Sequence, residues 1–187
     1  MKKYVWPSVK LTVVFIIICS VLYPLLIAGV AKLAPGGGKG ETVTVDGKIV
    51  GYANIGQKFT EDKYFWGRPS AVDYNAAGSA GSNKGATNPD YLKQVQERID
   101  SFLMHNPSVK KAEIPAELVT ASGSGLDPDL SPYGAKIQVK RIAAARKLDE
   151  AKLISLVDQQ TNKPLLGLFG PAKVNVLKLN IELNKLK

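Results

Sequence analysis

The feature that most constrains this chain is an uncharged apolar stretch near its N-terminus. Residues 11–31 contain no charged side chain and consist mainly of Leu, Ile, Val, Phe and Ala. At about 1.5 Å per residue, a helix of this length crosses a hydrocarbon core about 30 Å thick, and its backbone hydrogen bonds are satisfied internally. Pro24 and Gly29 are tolerated in membrane helices. The sequence therefore predicts one transmembrane helix over residues 11–33.

The lysines around this stretch predict its orientation. Lys2, Lys3 and Lys10 precede it, whereas Lys32 and Lys39 follow. The positive-inside bias favours a cytoplasmic segment 1–10 and an extracytoplasmic (periplasmic) remainder, with the anchor in the cell (inner) membrane. A cleaved signal peptide has an apolar region of only about 7–15 residues. We therefore expect a retained single-pass anchor.

Composition excludes several classes of function. The net charge is +9, yet the part after residue 33 carries 21 basic and 16 acidic residues, which are interspersed. The clustered basic face that is typical of nucleic-acid-binding proteins is absent from this sequence, so nucleic-acid binding is not expected. Cys19 and His105 are the only cysteine and histidine, so neither a disulfide framework nor a His/Cys metal site is expected.

After the anchor, residues 34–40 are rich in glycine and predict a flexible linker. Residues 41–45 and 48–59 flank Asp46 and Gly47, a pair that suits a two-residue type I′ turn. The sequence predicts a β-hairpin here, at the start of one extracytoplasmic domain over residues 41–187. With the elements below, the expected fold class is α+β: a transmembrane helix followed by a single mixed domain.

The first predicted helix of the domain begins at Asn88, as N-cap, with Pro89 in the first helical position, and ends at Asn106. His105 lies in its last turn, where we expect it to satisfy terminal carbonyls. Apolar residues at spacings of three and four predict a buried face made of Tyr91, Leu92, Val95, Ile99, Phe102 and Leu103.

The C-terminal part predicts two more helices and a strand. Ser131 caps a helix that runs to about Lys147, and Asp149 caps a second with Leu153, Ile154 and Val157 on its apolar face. Residues 165–171 predict a turn-rich apolar connection. Residues 174–183 alternate between apolar and polar side chains, which is the period of a strand.

Two segments are candidate contact surfaces. Residues 64–70 form an aromatic cluster suited to a core or to an interface, with Phe65, Trp66, Arg68 and Pro69 as the interface candidates. Residues 78–85 consist of Gly, Ser, Ala, Asn and Lys and show no periodicity of apolar side chains, which predicts a loop. Long loops in compact domains are often functional. Ser82 and Asn83 are its candidate contacts.

A third segment, residues 118–129, combines small residues with a pair of glycines. Ser122, Gly123, Ser124 and Gly125 could form a backbone amide nest for an anion, or a plain turn. Asp127 precedes a proline, a position typical of turns and caps. A serine hydrolase using Ser122 or Ser124 is a remote alternative, because the usual nucleophile motif is absent and His105 is the only histidine base.

Taken together, ten short motifs resemble the C subunit of the Kdp potassium-transporting ATPase. They cover nearly the whole chain in the family's order, and the longest is the most specific. The motifs are YFWGRPS (64–70), YN (74–75), GSN (81–83), TNP (87–89), VTASGSGLDP (119–128), SP (131–132), QV (138–139), RIAAAR (141–146), FG (169–170) and VNVL (174–177).

The resemblance implies a four-part complex in which this chain is an accessory, non-catalytic subunit. Its implied partners are a potassium-translocating subunit, a P-type ATPase subunit, a very small membrane peptide and the lipid bilayer. The implied role is assembly and support of the pump; the alternative is a catalytic chaperone that contacts ATP through residues 122–125. No cofactor is expected to be firmly bound, and Pro24 and Gly29 would let another helix approach the anchor closely. Members commonly carry histidine where this chain has Asp129.

Overall fold

A computed structural model describes residues 2–186, with Lys2 described by its backbone alone. The chain divides into two compact units, Met1–Thr42 and Val43–Lys187. The division falls within the first strand of the predicted domain.

The first unit is an apolar helix. α1 (Lys2–Ile17) continues through a π-helical turn (Ile18–Leu22) into α2 (Tyr23–Ala31). In the π turn, the N–H of Tyr23 donates to the carbonyl of Ile18, and the next residue, Pro24, has no N–H to donate. The helix over Lys3–Ala31 has 29 residues and is long and apolar enough to cross a membrane. The predicted N-terminal apolar helix is confirmed as an element, and it begins several residues before residue 11.

The second unit opens with the predicted hairpin. β1 (Thr42–Val45) and β2 (Lys48–Tyr52) form a two-stranded sheet. Asp46 and Gly47 have φ of 49° and 75°, the left-handed values that a type I′ turn requires at both central positions. The hairpin is confirmed, although β2 ends at Tyr52 rather than at residue 59.

The next helix is also confirmed at both ends. After a 3₁₀ turn (Ala76–Gly78) and the predicted loop, α3 spans Pro89–His105, and the side chain of Asn88 accepts the N–H of Tyr91 at 3.0 Å. Of the predicted buried face, only Phe102 is fully buried. The face is half-buried at its other positions except Leu92, where the prediction is wrong, since Leu92 is 52% exposed. His105 bonds through Nδ1 to Asp62 at 2.8 Å, rather than serving the terminal carbonyls as predicted.

Two further 3₁₀ turns (Lys111–Glu113 and Ala116–Leu118) lead to the predicted helix after Ser131, which is broken in two. α4 spans Pro132–Lys136 and α5 spans Val139–Arg146. The break arises at Gln138, whose side chain donates to the carbonyl of Gly134 at 3.0 Å while its own N–H turns to Ala135. α6 (Glu150–Gln159) begins at the predicted cap, Asp149. On its predicted apolar face, Leu153 and Val157 are buried, whereas Ile154 is 40% exposed.

The predicted strand over residues 174–183 is mostly a helix. Only β5 (Lys173–Asn175) is extended, and α7 (Val176–Lys185) follows it directly. The side chain of Asn175 caps α7 by accepting the N–H of Lys178 at 3.0 Å. Val176, Leu179, Asn180 and Leu183 are buried at spacings of three and four. The alternating pattern misled because Asn180, polar and assigned to a solvent face, lies in the core.

β5 is the centre of a small sheet that joins the helices. It pairs antiparallel with β3 (Asp129–Leu130) and with β4 (Thr161–Asn162), in the order β3-β5-β4. The core lies between this sheet and α3 to α7. Its completely buried apolar side chains are Phe65, Ala135, Ile142, Leu153, Val157, Val174, Leu179 and Leu183.

Candidate interaction site

The aromatic segment of residues 64–70 is held by two buried amide side chains. Asn180 of α7 accepts the N–H of Phe65 at 2.9 Å and donates to its carbonyl at 3.0 Å. Gln138 does the same for Trp66, at 2.9 and 3.2 Å. Extended backbone inside a core must find partners for its polar groups. These two amides supply them, and so fix where the rest of the segment emerges.

Trp66 is the centre of a compact cluster. The guanidinium of Arg141 stacks over the indole at 4.2 Å, and its Nη2 donates to Gln138 at 2.8 Å. Arg141 also donates to the carbonyl of Asp62 at 2.6 Å, and His105 packs edge-on against the indole at 5.0 Å. Burial lowers the pKa of Arg141 to about 10. The guanidinium is nonetheless charged at neutral pH, so this is a cation–π contact in a largely buried setting.

Beyond Trp66, the segment meets the Ser–Gly loop, residues 122–125, which is far away in sequence. The N–H of Ser122 donates to the carbonyl of Pro69 at 3.1 Å, and the hydroxyl of Ser70 donates to the carbonyl of Gly125 at 2.7 Å. Arg68 forms an ion pair with Asp127 at 2.9 Å. Two of the motifs, residues 64–70 and 119–128, therefore form one structural unit.

Close backbone approaches tighten this unit. A Cβ at Gly56 would lie 2.4 Å from the carbonyl oxygen of Asp127, and one at Gly81 would lie 2.9 Å from that of Gly123. Tyr74 donates its hydroxyl to the carbonyl of Arg68. Burial, with the nearby carboxylate of Asp127, raises the pKa of Tyr74 to about 12. Its hydroxyl thus stays protonated and available as a donor.

The amides of the Ser–Gly loop are largely used within the domain. Gly125 donates to the carbonyl of Ser122 at 3.3 Å, and Leu126 donates to the hydroxyl of Ser124 at 3.1 Å. With the bond from Ser122 to Pro69, only Gly123 and Ser124 keep N–H groups without a bond among the described residues. Binding of a nucleotide by Ser122, Gly123, Ser124 and Gly125 therefore stays a prediction, and only two of the four backbone N–H groups are free to bind phosphate.

The Ser122 side chain is almost completely buried, at 2% exposed, and its hydroxyl has no hydrogen-bond partner among the described residues. A nucleophilic serine needs a base in hydrogen-bond contact. The arrangement at Ser122 therefore lacks the local geometry of a serine hydrolase.

An open cleft of about 560 Å³ lies between the aromatic segment and α3, with Trp66, Arg68, Arg98 and His105 among the residues that line it. Its cations have partners within the domain. Arg68 pairs with Asp127, and Arg98 donates to the carbonyl of Val119 at 3.1 Å. An anionic ligand would have to compete with these contacts.

The other predicted site residues lie apart from this unit or beneath it. Phe65 is completely buried, so its side chain belongs to the core. Asn83 is exposed with φ of 51°, and Ser82 beside it is half-buried. Pro24 and Gly29 lie exposed on the apolar helix, and a Cβ at Gly29 would meet nothing within 4 Å.

Gln138, Asn180 and Arg141 are the residues of this site that sequence reasoning missed as functional positions. Gln138 and Arg141 do occur in the motifs that carry the resemblance, but nothing in a single sequence shows that they face Trp66. Asp129, where the family commonly has histidine, pairs with Lys173 at 2.6 Å. No cluster of three or more His, Cys, Asp or Glu residues suited to a metal occurs in the described part of the chain.

Comparison with known proteins agrees with the sequence motifs. The profile of the family described as "K+-transporting ATPase, c chain" matches residues 5–185. A potassium-transporting ATPase KdpC subunit of Flavobacterium johnsoniae is 60% identical over 185 residues, which are 99% of this chain and 100% of the relative. A KdpC subunit of Bacteroides fragilis is 54% identical over 99% of this chain and 98% of the relative. One of Caldanaerobacter subterraneus is 48% identical over 94% of this chain and 92% of the relative. The chain therefore belongs to the KdpC family of potassium-transporting ATPase subunits.

Proposed function

We propose that this chain is the single-span accessory subunit of a Kdp-type potassium-transporting ATPase, required for assembly of the complex and supporting ATP-driven potassium import. One observation carries the proposal: the match to the family runs from the apolar helix to the last helix, so anchor and domain are matched together. The proposed partners are the potassium-translocating subunit, the P-type ATPase subunit and a small membrane peptide.

The proposed contact surface of the domain is the Ser–Gly face, defined as the Ser–Gly loop together with residues 78–83. Ser79 donates to the carbonyl of Ser124 at 2.9 Å, and Gly81 packs against Gly123. The loops are tied to each other and to the aromatic segment, yet they end in small, exposed residues. A preformed surface loses little conformational freedom on binding, which favours affinity.

We further propose that the chain does not itself catalyse hydrolysis. The sequence lacks the Asp-Lys-Thr-Gly-Thr phosphorylation motif of P-type ATPases. The positive charges before the anchor support a domain outside the cytoplasm, away from ATP. Two free amides in the Ser–Gly loop do not by themselves favour contact with a nucleotide over a role in assembly.

A substitution at Gly123 tests this role. A Cβ added at Gly123 would meet no described atom within 4 Å, and the φ of this residue is not in the left-handed region. A side chain can therefore start here without a clash at Cβ, and Gly123→Phe adds bulk to the Ser–Gly face. We expect the tagged ATPase subunit to recover less of this chain from detergent extracts, and potassium-stimulated ATP hydrolysis to fall in parallel.

Ala112→Phe is the matched control, because Ala112 is exposed in a 3₁₀ turn outside the Ser–Gly face. It should assemble like the unmodified chain. Normal assembly with Gly123→Phe would remove the Ser–Gly face from the proposal. Normal assembly and pumping without this chain would overturn the proposed function itself.

A further inference from the structure

The connection between β4 and β5 carries an exposed apolar loop, residues 164–171. Leu165, Leu166, Leu168 and Phe169 are 70%, 81%, 81% and 63% exposed. No other segment in the described part of the domain exposes four large apolar side chains within five residues. Concentrated apolar exposure of this kind marks contact with a protein or a membrane.

The loop has a fixed shape. Leu165 and Phe169 exchange two backbone hydrogen bonds, of 2.9 and 3.0 Å, and Leu168 donates to the carbonyl of Leu165 at 3.1 Å. At the tip, Leu166 has φ of 55° and Gly167 has φ of 73°. The left-handed region is unfavourable for leucine. The loop therefore holds its apolar side chains outward in a conformation that is unfavourable at Leu166.

The charged residues nearest to the loop in the sequence are lysines. Between Asp158 and Glu182 the sequence has three lysines and no Asp or Glu. Lys163 precedes the loop, and Lys173, which also pairs with Asp129, follows it. An apolar projection flanked by lysines is the arrangement that binds the surface of an anionic bilayer.

The anchor keeps a bilayer within reach. Residues 32–41 connect the helix that could span the membrane to the first strand of the domain, and ten residues reach at most about 36 Å. A tethered surface acts at high effective concentration, so even a weak contact is populated. Lys163 beside the loop is exposed and suits lipid phosphates, and the anchor supplies a bilayer, so the observations favour lipid over an apolar pocket on another protein.

We propose that this loop inserts into the boundary between headgroups and acyl chains of an anionic bilayer, with Leu166 and Leu168 deepest and Lys163 at the phosphates. The loop is then a second membrane contact that orients the domain. This inference rests on the proposed membrane anchor but not on assembly with other subunits. It is therefore tested on the full chain alone.

The test uses single-cysteine versions of the full chain in lipid nanodiscs. Cys19→Ser removes the native thiol. Leu168→Cys then places an environment-sensitive NBD fluorophore on the loop, and Met104→Cys, 74% exposed at the end of α3, places it elsewhere as a control. In nanodiscs containing phosphatidylglycerol, nitroxide-labelled lipid should quench the loop probe several-fold more than the control, and aqueous iodide several-fold less.

Replacing phosphatidylglycerol by phosphatidylcholine should lower lipid quenching of the loop probe at least twofold. Equal access of iodide to both probes, with no quenching by labelled lipid, would overturn the proposal. If the loop probe were shielded from both quenchers, and only in the assembled complex, the loop would bind another subunit and the lipid assignment would be wrong. The Gly123→Phe result is independent of all these outcomes.

Discussion

Asn180 offers the sharpest test of how the aromatic segment is positioned. Its side chain is 2% exposed and satisfies both backbone groups of Phe65. Asn180→Leu keeps the volume and the helix but leaves a buried N–H and a buried carbonyl unpaired. Each unpaired group costs about 1–3 kcal/mol. We therefore expect the free energy of unfolding to fall by about 2–6 kcal/mol, a large part of the stability of a typical domain.

The assay is urea unfolding of the full chain in detergent, followed by tryptophan fluorescence. With a slope of about 2 kcal/mol per molar urea, the midpoint should fall by about 1–3 M. Asn184→Leu is the matched control one turn further along α7. Asn184 is exposed, and among the described residues its side chain bonds only to Arg146, at 2.6 Å. The substitution should change stability by less than about 1 kcal/mol. If both variants unfolded at the same midpoint, the hydrogen bonds from the Asn180 amide to Phe65 would not be what stabilises the domain.

Two further predictions concern the backbone approaches and titration near Asp127. Gly56→Ala should destabilise the domain by about 1–3 kcal/mol, because the new Cβ would lie 2.4 Å from the carbonyl oxygen of Asp127. Gly85→Ala is the control: it has open space around it and should change the midpoint of the same urea assay little. Burial raises the pKa of Tyr74 to about 12, so the unfolded chain loses the hydroxyl proton at a lower pH than the native state does. The contribution of Tyr74 to the free energy of unfolding should therefore be complete below about pH 10 and should fall as the pH rises toward 12. Ultraviolet titration should show one late-ionising tyrosine that Tyr74→Phe removes; a titration unchanged by that substitution would contradict the assignment.

The elements that the sequence predicted correctly are those set by local chemistry. The turn at Asp46 and Gly47 needs only two residues with positive φ, and the start of α3 needs only the cap at Asn88 with a proline after it. The caps at Ser131 and Asp149 are equally local: each accepts an N–H two or three residues ahead. Signals of this length are readable in one sequence.

The predictions are wrong where contacts between residues distant in the sequence determine the secondary structure. The break between α4 and α5 depends on Gln138, whose partner Trp66 is 72 residues away. The helical state of residues 176–185 depends on burying Asn180 against Phe65, 115 residues away. Tertiary contacts of this kind override local pattern. The Ser–Gly loop shows the same limit. Its composition allows an amide nest or a plain turn, but the bond from the N–H of Ser122 to the distant carbonyl of Pro69 and the turn bond from Gly125 to Ser122 decide how many amides are free.

These distant contacts also link in space the motifs that carry the resemblance. Gln138 belongs to one of these motifs and Asn180 lies in α7, yet both fix the aromatic segment, which in turn holds the Ser–Gly loop through Pro69. Had residues 174–183 formed a strand, Asn180 would alternate away from its apolar neighbours and could not reach both backbone groups of Phe65 from within the core. The helix α7 is therefore a condition for the position of the Ser–Gly face, although it contributes no residue to that face. For this reason Asn180→Leu should weaken assembly as well as stability, whereas Gly123→Phe should weaken assembly alone.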